Sequence, residues 1–238
     1  MDFKEKLFNK ASDIGINLSD IQLYQYEKYY HMLIEKNKVM NLTSITEEDE
    51  VIDKRFIDSL TCSRVIDFSD IKNVVDIGTG AGFPGIPLKI AFPDISITLI
   101  DSLNKRIRFV EEVSEELKLE QLYAVHGRAE DLARKKDFRE SFDLCVSRAV
   151  ANLSTLSEYC LPFVKIHGYF VSYKSKKGLE EIKNSEHCMK ELGSRIVQVD
   201  AFCLTDQDSE RLLIKIEKIK STSKKYPRKA GIPSRNPL

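Results

Sequence analysis

The sequence predicts an α/β fold: a mostly parallel seven-stranded sheet with an antiparallel edge strand, preceded by an N-terminal helical extension. Three observations predict it. From about residue 72, short apolar strand patterns alternate with helical ones, and strands separated by helices pair in parallel with helices on both faces. The last two strand patterns have no helix between them, so they pair antiparallel. Before residue 70 the apolar spacing is helical. The 238 residues are 42% hydrophobic and 31% charged, enough apolar material for a core without a metal or disulfide staple.

Each element follows from local pattern. Phe3, Leu7, Phe8, Ala11 and Ile14 form one helical stripe. Ser19-Asp20-Ile21-Gln22 is a capping box. It opens a second helix with Leu23, Tyr26, Tyr30, Leu33 and Ile34 expected inward. The tyrosines at 24, 26, 29 and 30 read as aromatic packing on that helix rather than as a base-stacking platform. Thr46-Glu47-Glu48-Asp49 brings acids to a further helix start, where the dipole favours them. Asn73–Ile77 is the first strand, and it runs into Gly78-Thr79-Gly80-Ala81-Gly82-Phe83-Pro84-Gly85. A helix through Leu88 and Ile90 stops at Pro93-Asp94. Strands follow at 95–100, 122–125, 142–147 and 168–173, with helices at 104–118 and 152–160. A helix over 178–191 ends at Gly193, a residue suited to a left-handed cap. Strands 196–204 and 212–216 close the sheet across the polar loop Thr205-Asp206-Gln207-Asp208. Residues 1–70 thus read as a helical extension packed on a core of 71–220, with a basic tail at 221–238 and one structural domain overall.

Charge and cysteine usage narrow the class. Net charge is zero, but residues 1–70 carry 9 Lys/Arg against 14 Asp/Glu, and residues 215–238 carry 8 against 1. A dipolar chain of this kind can meet a polyanion at one face. The five cysteines are odd in number and contain no C-x-x-C. That speaks against a disulfide scaffold or zinc knuckle and for a reducing cytoplasm. The four histidines are scattered, so no metal site is expected, and His187-Cys188 reads as a surface pair on a helix. The charged start Met1-Asp2-Phe3-Lys4-Glu5-Lys6 has no signal-peptide pattern. No apolar stretch approaches the roughly 18 residues that a membrane span needs.

The strand ends carry the chemistry, because ligands of open α/β sheets bind beyond them. Gly80-Ala81-Gly82-Phe83-Pro84-Gly85 fits the G-x-G-x-x-G fingerprint of dinucleotide sites. A second frame, Asp76-Ile77-Gly78-Thr79-Gly80-Ala81-Gly82, sets a carboxylate beside alternating glycines. A pyrophosphate gains nothing from that carboxylate, whereas the amino group and sulfonium of S-adenosylmethionine do. Asp101 ends the second strand and suits either the ribose hydroxyls of an adenosine or a helix cap. Ala129-Glu130 follows the third strand and suits either an adenine edge or a helix start. Ser147-Arg148-Ala149 ends the fourth, and an arginine at an apolar strand end needs a partner. Lys174, Lys176 and Lys177 follow the fifth; Lys174 is the residue expected on the acceptor side, with Arg148. The tail Lys224-Lys225-Tyr226-Pro227-Arg228-Lys229 combines charge with an aromatic ring, as RNA-contacting segments do.

These motifs together resemble the bacterial ribosomal RNA small subunit methyltransferase G family, also called glucose-inhibited division protein B. The resemblance runs through Asn41-Leu42-Thr43, Asp58-Ser59-Leu60, the glycine run continuing to Ile86-Pro87, Asp101-Ser102-Leu103-Asn104-Lys105-Arg106, Ser147-Arg148-Ala149 and Tyr226-Pro227-Arg228-Lys229-Ala230-Gly231-Ile232-Pro233. It implies a Rossmann-like class I methyltransferase fold and methyl transfer from S-adenosylmethionine to N7 of one guanine in 16S-type rRNA, near the decoding centre. It implies that Gly78, Phe83, Ala129, Glu130 and Arg148 bind the cofactor, with Asp101 at its ribose; Asp76, Gly80 and Gly82 join that set from the loop. The expected partner is small-subunit rRNA or the 30S subunit, with no membrane, no obligate protein partner and a monomeric chain. One departure stands out: Arg55 occupies a place where the family often has histidine. Guanine N7 has a lone pair and no proton, so no catalytic base is expected. Two other readings remain at this point. An NAD-dependent oxidoreductase would need a substrate domain for which the chain has little room. A non-catalytic RNA-binding assembly factor would have no need of the nucleotide loop.

Overall fold

The computed structural model describes residues 1–148, 151–204 and 210–238. Ala149 of the strand-end motif and the loop 205–208 lie outside the described residues. Helices α1 (Phe3–Asp13) and α2 (Asp20–Met40) each open on a capping box, Asp2 with Glu5 and Ser19 with Gln22. The first-turn N–H groups thereby find partners within their own helix. α1 buries Phe3, Leu7 and Ala11, but Phe8 is exposed. The i, i+4 series fixes the inward face, and the residue after Leu7 turns away from it. α2 buries Leu23, Tyr26, Tyr29 and Leu33. Tyr29 is the inward ring, while the expected Tyr30 and Ile34 are only half-buried. A continuous helical run follows: α3 (Glu48–Val51), a π-helical segment (Ile52–Ile57), α4 (Asp58–Leu60) and a 3-10 turn (Thr61–Arg64).

The sheet holds β1 (Asn73–Ile77), β2 (Ser96–Asp101), β3 (Leu122–His126), β4 (Phe142–Arg148), β5 (Val164–Ser175), β6 (Ser194–Cys203) and β7 (Glu210–Lys218). Their order is β3-β2-β1-β4-β5-β7-β6. β7 runs antiparallel to both β5 and β6, so the antiparallel strand sits one place in from the edge and β6 forms the rim. Between strands lie α5 (Gly85–Ala91), α6 (Asn104–Glu116), α7 (Ala129–Leu132), α8 (Leu153–Cys160), α9 (Gly178–Lys183) and α10 (Glu186–Leu192); α11 (Ile232–Arg235) closes the chain. The single helix expected over 178–191 is therefore two. Ser185 ends the first turn series by giving both its N–H and its hydroxyl to the Ile182 carbonyl, a local bond that competes with the helix ladder. Gly193 closes α10 in the left-handed region, at φ 72°. Cys188 of α10 is fully buried, so only His187 of the expected surface pair is exposed.

Two apolar clusters cover the two faces of the sheet. Val74 belongs to one and Val75 to the other, as strand alternation requires. The N-terminal helices share the first cluster: Phe3, Tyr26 and Phe56 pack in it with Ile86 and Leu99. This face of the core is thus built jointly by the extension and the sheet. It puts α2 directly against the glycine loop.

Candidate active site

Register decides which residues meet. Ile77 pairs with Ile100, Asp101 with His126, and Asp76 with Val146. The C-terminal ends of β1 to β4 are therefore level, bringing Gly78, Asp101, Gly127 and Arg148 to one rim. A cavity of about 570 Å³ opens there, a size typical of small-molecule sites. Gly78, Gly80 and Phe83 line it from the loop, Asp101 from β2, Ala129 and Glu130 from α7, and Arg148 from β4.

The glycines divide into two kinds. Gly78 and Gly80 adopt left-handed φ values of 74° and 62° and present backbone to the cavity. Gly82 and Gly85 face away. A Cβ on Gly82 would fall 2.4 Å from Ile86 Cδ1 and 2.8 Å from Tyr29 Oη, and one on Gly85 would fall 2.1 Å from Leu99 Cδ2. These two are packing glycines beneath α2 and α5. The cavity is thus reached by Gly78, which only the frame beginning at Asp76 contains, and by Gly80, which both frames share.

Asp76 does not line the cavity either. It is fully buried under the loop, where Oδ2 accepts from Thr79 Oγ1 at 2.7 Å and from Gly85 N at 3.0 Å. Its Oδ1 is buried without a partner. Burial pushes this carboxyl up to about 7, against the two hydrogen bonds that favour its charge. Asp76 braces the loop from within.

Asp101 is nearly buried and ties three segments together. Oδ2 accepts from Gly80 N at 2.9 Å and from Arg106 Nη1 at 3.2 Å, and Oδ1 accepts from Leu103 N at 2.9 Å. A carboxylate offers about four acceptor sites, so capacity remains for a ligand hydroxyl. Ala129 and Glu130 form the first turn of α7, and Glu130 Oε1 accepts from Gly231 N at 3.2 Å. Arg148 gives Nη1 to Asp58 Oδ2 at 2.9 Å and lies 5.3 Å from the Phe83 ring centroid. Lys174 is not brought to the cavity. Its ammonium pairs with Glu181 at 2.9 Å and bonds the Ala151 carbonyl.

Residues far away in sequence support the loop from beneath or line the cavity. Tyr29 of α2 donates its hydroxyl to the Ala81 carbonyl at 2.6 Å and stacks on Phe83, with centroids 5.3 Å apart and planes at 24°. Thr43 and Arg55 line the wall beside Arg148, and Gly231 and Ser234 of the tail line the opposite side. The tail is held by Arg228, which forms a bidentate pair with fully buried Glu158, and by Arg139, which donates to the Thr222 and Tyr226 carbonyls. The available signals were the motifs Asn41-Leu42-Thr43 and Gly231-Ile232-Pro233, which carry no local pattern that assigns a role.

Among the described residues, no group of three or more His, Cys, Asp or Glu side chains is arranged to hold a metal. None of their helices is long and apolar enough to cross a membrane. A family model described as rRNA small subunit methyltransferase G matches residues 22–210. Ribosomal RNA small subunit methyltransferase G of Lachnoclostridium phytofermentans is 52% identical over 225 residues, covering 94% of this chain and 93% of the relative. The protein of the same name from Bacillus velezensis is 49% identical over 234 residues, covering 98% of both. Among solved structures, a putative S-adenosyl-L-methionine-dependent methyltransferase from Methanococcus maripaludis superposes with a TM-score of 0.54 at 17% identity, covering 73% of this chain and 91% of that one. That likeness speaks to the fold alone.

Proposed function

The chain belongs to the rRNA small subunit methyltransferase G family, and from that premise we propose that it transfers a methyl group from S-adenosylmethionine to N7 of one guanine in small-subunit rRNA. The observation that carries the reading is the cavity at the ends of β1 to β4, floored by Gly78 and Gly80 and lined by Asp101, Glu130 and Arg148.

The residues present fit the cofactor. Gly78 and Gly80 allow close backbone approach. Asp101 has acceptor capacity for ribose hydroxyls. The first-turn N–H groups of α7 and the Glu130 carboxylate suit the adenine edge, and Arg148 suits the amino-acid end. When bound, the cofactor supplies an electrophilic methyl group on a sulfonium. The chain's own part is to bind, orient and exclude water. Guanine N7 offers a lone pair without a proton to remove, so rate enhancement rests on alignment of the two reactants.

In this reading Arg148 places the acceptor only indirectly, by fixing the amino-acid end of the cofactor next to it. Lys174 acts as a positioning residue: with Glu181, which accepts from Leu153 N at 2.5 Å, it fixes the chain at 151–153 just beyond β4. Residues 1–70 brace the glycine loop, 71–220 form the catalytic core, and 221–238 wall the cavity; because Tyr226 is buried and Arg228 is paired with Glu158, RNA contact from the tail falls to exposed Lys224 and Lys229. The chain works as a monomer in the cytoplasm, where its substrate is made.

The test is tritium transfer from labelled S-adenosylmethionine to rRNA from a strain lacking this protein, using naked rRNA and intact small subunits side by side. Incorporation into one of them is expected. No incorporation into either refutes the proposal.

A further inference from the structure

The basic wall of the cavity carries more positive charge than its carboxylate can match. Arg148 Nη1 takes Asp58 Oδ2 at 2.9 Å, and Arg211 Nε takes Asp58 Oδ1 at 2.8 Å. Both oxygens of this buried acid are thereby engaged. Arg55 stands beside the pair with a neutral partner, Thr43 Oγ1, 2.9 Å from its Nη2. Its Nε is buried with no partner. Among the described residues no carboxylate forms an ion pair with it. Burial, then the nearby Arg148 charge, hold its guanidinium down at about 10, well below an ordinary arginine. A cation withdrawn from water without an anion is costly, and the charge invites an anion from outside.

The place of that anion follows from the geometry. Arg55 and Arg148 lie 5.8 and 5.3 Å from the same Phe83 ring, and both line the cavity. Their end of the cavity lies at β4, whereas the acids Asp101 and Glu130 lie at β2 and beyond β3. S-adenosylmethionine carries its sole carboxylate on the amino-acid end, away from the adenosine that Asp101 and Glu130 would take, so that carboxylate is the anion within reach of the two guanidiniums. The Arg148 side chain is only 9% exposed, and Arg55 Nε is out of contact with solvent. Anion seats this deep suit a group already inside the cavity better than a phosphodiester arriving from outside.

We propose that Arg55 is a second anion-binding residue, which together with Arg148 seats the α-carboxylate of S-adenosylmethionine. The inference rests on the cofactor reading above. Its test compares two ligands that share the adenosine: S-adenosylhomocysteine, which has the carboxylate, and 5′-methylthioadenosine, which lacks it. Affinities of both are measured by calorimetry for wild type, Arg55→Ala and Arg55→Lys. Loss of a charge-assisted bond predicts that Arg55→Ala weakens S-adenosylhomocysteine about 10- to 100-fold, with methylthioadenosine changed less than about 2-fold. Arg55→Lys keeps the charge without the planar fork and should fall between. If the alanine variant does not fold, the lysine variant still shows the selective loss. Equal losses for both ligands would mean a collapsed wall and overturn the proposal. Unchanged S-adenosylhomocysteine affinity with a raised KM for rRNA would overturn it in favour of an RNA phosphate seat. Failure of the wild type to bind S-adenosylhomocysteine would overturn the cofactor reading as well, which separates the two failures.

Discussion

Tyr29→Phe isolates the contribution of the N-terminal extension to the cofactor loop. The substitution removes one oxygen and leaves the ring. The stack on Phe83 stays, while the 2.6 Å bond to the Ala81 carbonyl is lost. That carbonyl lies in a buried setting, so losing its donor costs about 1–2 kcal/mol. For a chain of this size the melting temperature should fall roughly 2–4 °C per kcal/mol. Tyr26→Phe is the internal control. Tyr26 is equally buried and donates to the Pro87 carbonyl at 2.7 Å, but Pro87 lies in α5 beyond the loop. Both variants should lose similar stability. Only Tyr29→Phe frees the segment between Gly80 and Gly82, and re-ordering that segment on binding should lower S-adenosylhomocysteine affinity about 5- to 10-fold. Thermal melts and calorimetry read the two effects separately. Equal affinity changes in the two variants, or none in Tyr29→Phe despite its lower melting temperature, would refute the idea that the extension holds the loop for the cofactor.

Arg148→Ala should abolish methyl transfer or cofactor binding, measured by label incorporation and calorimetry, and wild-type activity in that variant would contradict its role. Asp76 predicts a pH effect of defined sign: its folded carboxyl sits at about 7 against an ordinary 3.8. The folded state therefore holds the proton that the unfolded state has released, and this group lowers stability as pH rises from about 4 to about 7. Urea titrations across that range should show the slope in wild type and its loss in Asp76→Asn. Arg228→Ala leaves fully buried Glu158 without its bidentate partner and should cost about 3–5 kcal/mol in urea denaturation. Adding Glu158→Gln in the same chain should recover part of that loss.

What the sequence made legible was local. Asp76, the glycines and Asp101 sit within 26 residues of one another, and their chemistry is visible because the strand ends announce themselves through apolar runs that stop at glycine or acid. Boundaries of β1 and β2 fall within a residue of expectation for the same reason. What escaped depends on contacts across long separations. The choice of Tyr29 over Tyr30 is one step along α2, about 100° of rotation, and only the position of Phe83 and Ala81 decides it. Asp76 and Gly82 belong to the loop motif, but whether each faces cavity or core depends on where α2 and α5 pack. The Arg148–Asp58–Arg211 network joins residues 90 and 153 positions apart. No window along the chain contains it. Cys188 looked superficial beside His187, but the helix turns the thiol inward. The break at Ser185 arises from a serine side chain competing for a helix carbonyl, which apolar periodicity does not register.

The central claim is that the cavity aligns a methyl donor with a guanine N7, and it is tested most directly by the position of the new methyl group. Small-subunit rRNA methylated by this protein is treated with borohydride and then aniline, which cuts the chain at N7-methylguanine, and the ends are mapped by primer extension. The account predicts cleavage at one guanine, absent when Arg148→Ala replaces the wild type. Methyl incorporation without cleavage would mean transfer to another atom and would contradict the account.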